Sequence, residues 1–360
     1  MIRANSHVAA MAPYALAQLT APPGYSLLSL SQNESFRPPS PDALKAGADT
    51  MARSALYPDP GWTDLRAGLA ALHGLDADCI LCGTGSLDLI AALARVYAGP
   101  DRAILAPRHA YPFFRSAAEM AGARYDTAPE RDWTVDIDAL LETLRPDTGI
   151  VFIANPGNPT GTRVPRSELE RLRRGLPDNV LLVIDEAYGE FCGDMDAPSW
   201  TFVEAGNCAV LRTFSKAYGL AGLRVGWGVF PPDLARELSK VLNPNGIASV
   251  SQAAALAALE DQDYMRATCG TTAKLRAQCV TTLRGAGFRA VSSHTNFVMI
   301  DCGEAVQAEK LCAHLSARGI ILRRQQGAAA PQAVRMTIGA DEHMARVLAE
   351  LAAWKEGDSL

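Results

Sequence analysis

Residues 208–224 read Cys-Ala-Val-Leu-Arg-Thr-Phe-Ser-Lys-Ala-Tyr-Gly-Leu-Ala-Gly-Leu-Arg. The apolar run at 208–212 has the length and composition of a strand buried on both faces. It closes on Thr213, after which Lys216 and Arg224 sit among hydroxyl, small and apolar residues. A surface lysine is the ordinary reading. Surroundings of this kind instead lower an amine's pKa and favour a nucleophilic, Schiff-base role.

The pattern repeats outward from this stretch. Short apolar runs at 79–82, 103–106, 149–154, 180–184 and 227–230 predict strands, and amphipathic segments at 63–73, 87–97, 112–121, 137–144 and 166–174 predict helices. Apolar strands alternating with helices give an α/β fold, a mostly parallel, doubly wound sheet covered on both faces. The 360 residues exceed one ordinary domain of about 150. Residues 1–41 are rich in Pro, Ser and Gly and read as an extended arm that packs with a small domain. Residues 42–245 form the large sheet domain, 246–285 a long connecting helix, and 286–360 a smaller α+β domain. That last part has strands at 296–301, 320–323 and 333–338 and helices at 305–317 and 342–354.

Composition excludes several classes. Hydrophobic residues make up 48%, charged residues 20%, and the net charge is −5, which is ordinary for a globular protein. With no dense basic run, nucleic acid is not an expected partner. The longest uncharged stretch, 241–259, contains Asn243, Pro244, Asn245 and Gly246, so no membrane span is expected. The apolar patch at 8–12 stops at Pro13 and is too weak for a secretory signal. Eight scattered cysteines do not make a disulfide framework, and Cys79 and Cys82 spell C-x-x-C without a second pair for zinc. They read as core thiols, no metal site is expected, and a reducing cytoplasm fits best. Of the basic residues only six are lysines, a small field for any amine nucleophile.

In open α/β sheets ligands bind beyond the carboxyl ends of the strands. After 79–82, Gly83-Thr84-Gly85-Ser86 opens a helix and suits an anion. Asp88 stands where a dinucleotide fingerprint needs its third glycine, and no Lys-Ser or Lys-Thr comes next for a P-loop. After 149–154, Asn155-Pro156-Gly157-Asn158-Pro159-Thr160-Gly161 makes a rigid turn with Asn155 at the strand end. After 180–184 come Asp185, Glu186, Ala187 and Tyr188; a carboxylate closing a buried strand needs a cation or strong donor. Taken singly, each turn also reads as a plain loop, a helix cap or a surface residue. One cofactor explains all four. Pyridoxal 5'-phosphate needs an amine, an acid under its ring nitrogen, donors to its phenolic oxygen and a phosphate cradle. Lys216 is the expected amine and Asp185 the acid. Asn155 and Tyr188 are the phenolate donors, and Gly85, Ser86, Thr213, Ser215 and Arg224 hold the phosphate.

Residues 155–161, 185–188 and 215–224 resemble those of the fold-type I, class I/II aminotransferases, and more narrowly the histidinol-phosphate aminotransferase group. Pro13-Tyr14, Asn33-Glu34, Tyr57-Pro58, Thr295-Asn296-Phe297 and Arg335-Met336-Thr337-Ile338-Gly339 extend the resemblance over nearly the whole chain. It implies an aspartate aminotransferase-like fold and transfer of an amino group between an amino acid or amino-phosphate and a 2-oxo acid, 2-oxoglutarate or glutamate, by ping-pong. Lys216, Asp185 and Tyr188 are the implied catalytic residues, with Lys216 the general base. Leu87 joins the phosphate turn through its backbone, Tyr111 stacks on the ring, and Tyr57 reaches the neighbouring subunit's cofactor, implying a homodimer with shared active sites. Asn33 and Asn155 face the substrate, Arg335 grips its α-carboxylate as a fork, and Arg323 with Tyr14 meets a substrate phosphate. The chain departs from the group at Leu87-Asp88, where an acidic pair is usual, and at Arg323-Arg324-Gln325-Gln326, where the turn is more glycine-rich. A rival shares the cofactor: a decarboxylase or lyase on a phosphorylated amino acid, similar to threonine-phosphate decarboxylase.

Overall fold

The computed structural model describes residues 2–13, 20–195 and 199–357. Each of the six apolar runs is a strand whose ends lie within a residue of the expected ones. They join a seven-stranded sheet in the order Ile80–Gly83, Gly226–Val229, Cys208–Thr213, Leu181–Asp185, Thr148–Ala154, Ala103–Pro107, Tyr125–Ala128. Gly226–Val229 runs antiparallel to both neighbours, and the remaining pairs are parallel. The fold is therefore α/β with a mostly parallel sheet. Ile104, Val151, Phe152, Val183, Ile184 and Val210 are buried, as strands covered by helices on both faces require. The seventh strand, Tyr125–Ala128, escapes sequence reading because it sits at the sheet edge and carries polar residues instead of an apolar run.

One expectation needs correction. The expected connecting helix at 246–285 is not one helix. Ser249–Glu260 and Gln262–Gly285 are separate helices, broken at Asp261 with φ −90° and ψ 65°. The Asp261 carboxylate accepts from Tyr264 N at 3.1 Å, so an aspartate that prefers capping to continuing a helix starts the second one. The two halves serve different cores. Ala255, Ala258 and Leu259 pack with the large sheet. Leu275, Cys279 and Leu283 join a second core with Leu28, Leu30, Val298, Leu311 and Val347.

That second core lies on a four-stranded antiparallel sheet ordered Arg289–Ala290, Phe297–Asp301, Ala330–Thr337, Arg323–Gln325. The arm enters it directly. Leu28–Ser29 pairs in parallel with Ile320–Ile321, Leu30 N donates to Ile321 O, and Thr337 N donates to Leu30 O. Residues 31–34 are thereby held where the two cores meet. All eight cysteines are free thiols, Cys82 buried and Cys79 half-buried.

Gly226 marks the closest approach in the large sheet. A Cβ there would lie 2.1 Å from Ser86 N and 2.3 Å from Gly85 C, backbone atoms that cannot rotate away. Gly226→Ala is expected to cost about 3 kcal/mol of stability by overpacking, whereas Gly222→Ala, with open space around its Cβ, costs little. Urea unfolding of the two variants checks this.

Candidate active site

A cavity of about 470 Å³ opens beyond the carboxyl ends of the central strands. Lys216 lies in the turn after Cys208–Thr213, and its Nζ donates to the carbonyls of Gln32 and Asn33, each at 3.2 Å. Burial lowers its pKa to about 8, and the Arg335 guanidinium pushes the same way. At neutral pH this makes the unprotonated amine on the order of a hundredfold more abundant than on an exposed lysine. Asp185 is the last residue of its own strand and is buried. Burial raises its carboxyl to about 7, against the Ala187 N–H that it accepts at 3.0 Å and the nearby Lys216 charge. An amine drawn down and an acid drawn up face one cavity, a common sign of a reacting pair.

Tyr188 sits edge-on to Phe297, their centroids 5.2 Å apart. Its oxygen accepts from Asn33 Nδ2 at 2.7 Å and Asn158 Nδ2 at 3.4 Å. Both bonds use lone pairs, so the hydroxyl proton is the group left to donate. Asn158 Oδ1 accepts from Arg335 Nη1 at 2.6 Å, and Arg335 Nη2 donates to Ser31 O at 2.7 Å.

Asn155 is not part of this set. Its amide donates to Val164 O at 3.1 Å and accepts from Val164 N at 2.8 Å, so both ends tie down its own loop. Its backbone N–H still follows the sheet ladder to Asp185 O. The asparagine that reaches the cavity is Asn158, beyond the turn. Sequence reading favoured Asn155 for its place at the strand end and passed over the second asparagine of the same motif.

The phosphate turn is built by close approach. Gly85 caps the helix Ser86–Tyr97 at φ 85°, leaving the first-turn amides of Ser86 and Leu87 without partners inside the helix. A Cβ on Gly85 would fall 2.5 Å from Arg224 Nη2, so this guanidinium lies directly over the turn. Arg224 Nη1 donates to Ser215 Oγ at 3.4 Å, and Thr213 Oγ1 bonds Ser215 Oγ at 3.0 Å. Asp88 accepts from Thr84 N at 3.1 Å and braces the turn from below. These donors converge as a dianion requires.

Arg323 and Arg335 are direct partners across adjacent antiparallel strands, and both line the cavity. Like charges placed so repel, and an anionic ligand between them removes that cost. Tyr111 precedes the helix Pro112–Met120 and lines the cavity, edge-on to Phe114 at 5.8 Å. Glu34, Phe113 and Gln325 line it too, although motif reading assigned them no role. Asn296 Nδ2 donates to Asn33 O at 3.0 Å and steadies the carbonyl that Lys216 uses. Tyr57 is 87% exposed and is not among the lining residues, while Tyr14 lies outside the described residues. The four demands of pyridoxal 5'-phosphate are thus met by this chain's groups: Lys216, Asp185, the Tyr188–Asn158 pair and the Gly85–Arg224 cradle.

Residues 25–351 match the model of the aminotransferase class I and II family. The chain is 39% identical to histidinol-phosphate aminotransferase of Jannaschia sp. (strain CCS1) over 326 residues, 91% of each chain. It is 38% identical to that of Rhodospirillum centenum over 356 residues, 98% of each. Among solved structures, histidinol-phosphate aminotransferase from Sinorhizobium meliloti in complex with pyridoxal-5'-phosphate superposes with a TM-score of 0.88 at 30% identity, covering 92% of each chain. Aspartate aminotransferase from Thermus thermophilus with maleate shares the fold, with a TM-score of 0.86 at 20% identity, covering 98% of this chain and 100% of that one.

The lowered pKa of Lys216 has a direct chemical readout. Reductive alkylation of the apoprotein by a small aldehyde, followed by peptide mapping, should label Lys216 with a rate that rises through pH 7 and flattens above about 8. A rate that instead keeps climbing toward the usual lysine value of about 10.4 contradicts the burial argument.

Proposed function

The chain belongs to the class I and II aminotransferases, and on that premise we propose how its cavity performs the reaction. The enzyme is a pyridoxal phosphate-dependent transaminase. Its amino donor is an anionic amine similar to histidinol phosphate, and its acceptor is a 2-oxo acid such as 2-oxoglutarate. The observation that carries this reading is the Lys216 amine, held by two backbone carbonyls and lining one cavity with the buried Asp185.

When bound, the cofactor supplies an aldehyde that captures amines and a ring that takes up the electron pair left on the substrate carbon. Lys216 Nζ is the amine that anchors it. As a free amine held by the carbonyls of Gln32 and Asn33, Nζ would serve as general base, carrying the proton of the substrate α-carbon to the cofactor's C4′. Asp185 holds a proton at the ring nitrogen through its carboxylate. The Tyr188 hydroxyl and the Asn158 amide orient the phenolic oxygen. Ser86, Leu87, Thr213, Ser215 and Arg224 bind the phosphate, and Tyr111 covers the ring. Arg335 and Arg323 take the anionic groups of the substrate, with Asn33 setting the position of Tyr188. A keto acid returning through the same groups completes the ping-pong cycle.

Two further parts of the reading rest on the surface. Leu44, Met51, Leu56 and Tyr57 are exposed apolar side chains on one short stretch of chain. A second copy of the chain would cover these side chains, and the reading includes a homodimer in which Tyr57 serves the partner's site. Among the described residues no helix is long and apolar enough to cross a membrane, and the proposed compartment is the cytoplasm.

Lys216→Ala removes both the anchor and the base and is expected to lower turnover by at least ~10³-fold, about 4 kcal/mol of barrier. The substrate is read from half-reactions: amines offered singly while the absorbance of the bound cofactor is followed, with histidinol phosphate and glutamate expected to bleach the aldehyde form. Carbon dioxide release without conversion of the cofactor to its amine form would replace the transaminase by the lyase reading. Leu56→Asp is expected to dissociate the dimer in sedimentation runs and to lose activity with it. A fully active monomer would remove Tyr57 from the site.

A further inference from the structure

A second cavity of about 650 Å³ adjoins the first. Glu186 and Asn155 line it, while their neighbours Asp185 and Ala154 line the active cavity. Its far wall is the helix Gln262–Gly285. Several of the charges along it are paired. Arg212 engages both lining carboxylates, Glu186 at 2.7 Å and Glu190 at 3.0 Å. Arg266 pairs with Asp263 at 2.6 Å, and Arg166 with Glu170 at 3.1 Å.

Arg276 has no such partner. This half-buried side chain donates from Nη1 to Thr295 O at 2.5 Å, and among the described residues no carboxylate lies within ion-pair distance of it. The acidic groups whose field reaches it are the thiols of Cys192 and Cys269. Burial pushes these up to about 11 and about 12, so both are neutral at physiological pH. His294 lines the same cavity; burial and the nearby Arg276 and Arg163 charges lower its pKa, so it offers a neutral N–H. A guanidinium partly withdrawn from water carries a desolvation cost that an anion offsets.

We propose that this cavity binds a small anion, a phosphate or a carboxylate, through Arg276 and His294. The N–H groups of Arg276 directed away from Thr295 form the planar fork that suits either group. His294 adds a further donor, and Phe191, Trp200 and Met265 give an apolar wall for the organic part of a ligand. Arg276 and His294 are not among the residues lining the active cavity. They are linked to it by a short path, because Arg276 holds Thr295 O and the next residue, Asn296, holds Asn33 O.

The test uses the holoenzyme, whose cofactor phosphate site is already filled. It is titrated with potassium phosphate and separately with sodium succinate, at ionic strength held constant with potassium chloride. The readouts are Tm and the alkylation rates of Cys192 and Cys269. At least one probe should raise Tm and slow alkylation, and the probe that acts identifies the ligand as phosphate-like or carboxylate-like. Arg276→Met should weaken that response about tenfold or more through loss of the charged fork, while Arg335→Gln, altered only in the active cavity, should keep it. His294→Gln should weaken it about threefold and serves where Arg276→Met fails to fold. Indifference to both probes, an unchanged response in Arg276→Met or His294→Gln, or a response lost in Arg335→Gln overturns the site.

Discussion

A half-buried amine held beneath the carbonyls of Gln32 and Asn33 is the constraint around which this molecule is arranged. Burial destabilises an ammonium, and the neighbouring guanidinium of Arg335 destabilises it further. Two neutral backbone oxygens hold Lys216 Nζ without restoring that charge as a carboxylate at contact would. To present those oxygens, the arm has to turn sharply, and Asn33 takes a left-handed conformation with φ 56°. That strain is held by bonds on three sides. Asn33 N donates to Thr337 Oγ1, its Nδ2 donates to Tyr188, and its carbonyl accepts from Asn296.

This arrangement makes the active cavity a joint between two cores. The large sheet contributes Asp185, Tyr188 and Lys216 at its strand ends, and the small sheet contributes Arg323 and Arg335 across one register pair. The arm pairs with Ile320–Ile321 in a separate two-stranded sheet, bonds to Thr337 of the small sheet, and still touches the large-sheet residues. Any relative movement of the two cores therefore acts on the acceptors of Lys216. The helix that starts at Asp261 spans the same joint, with Met265 and Cys269 against the large core and Leu275, Cys279 and Leu283 in the small one.

Much of the site was legible because strand ends are legible. Asp185 and Lys216 come after apolar runs whose length and β-rich composition leave one reading, and in such a sheet the residues just past a run face the ligand. Asn155 failed under the same rule. It still belongs to the ladder, and the turn that brings Asn158 inward is a matter of loop path, which residue type does not encode. The edge strand Tyr125–Ala128 was missed for a related reason, as its burial comes from neighbours and its residues show no period.

The sequence by itself, Arg323 and Arg335 apart, which only the family resemblance singled out, determined the alternation of strands and helices and the places of Asp185 and Lys216 just past apolar runs. These depend on local composition and on short spacings that survive whatever the rest of the chain does. Tertiary structure alone decided that Asn158 and not Asn155 meets Tyr188, that carbonyls of the arm hold Lys216, and that Arg276 bonds Thr295 O at a second cavity. Each of those is a contact between residues far apart in the chain, where burial and the sum of nearby charges, properties of the assembled fold, set the chemistry.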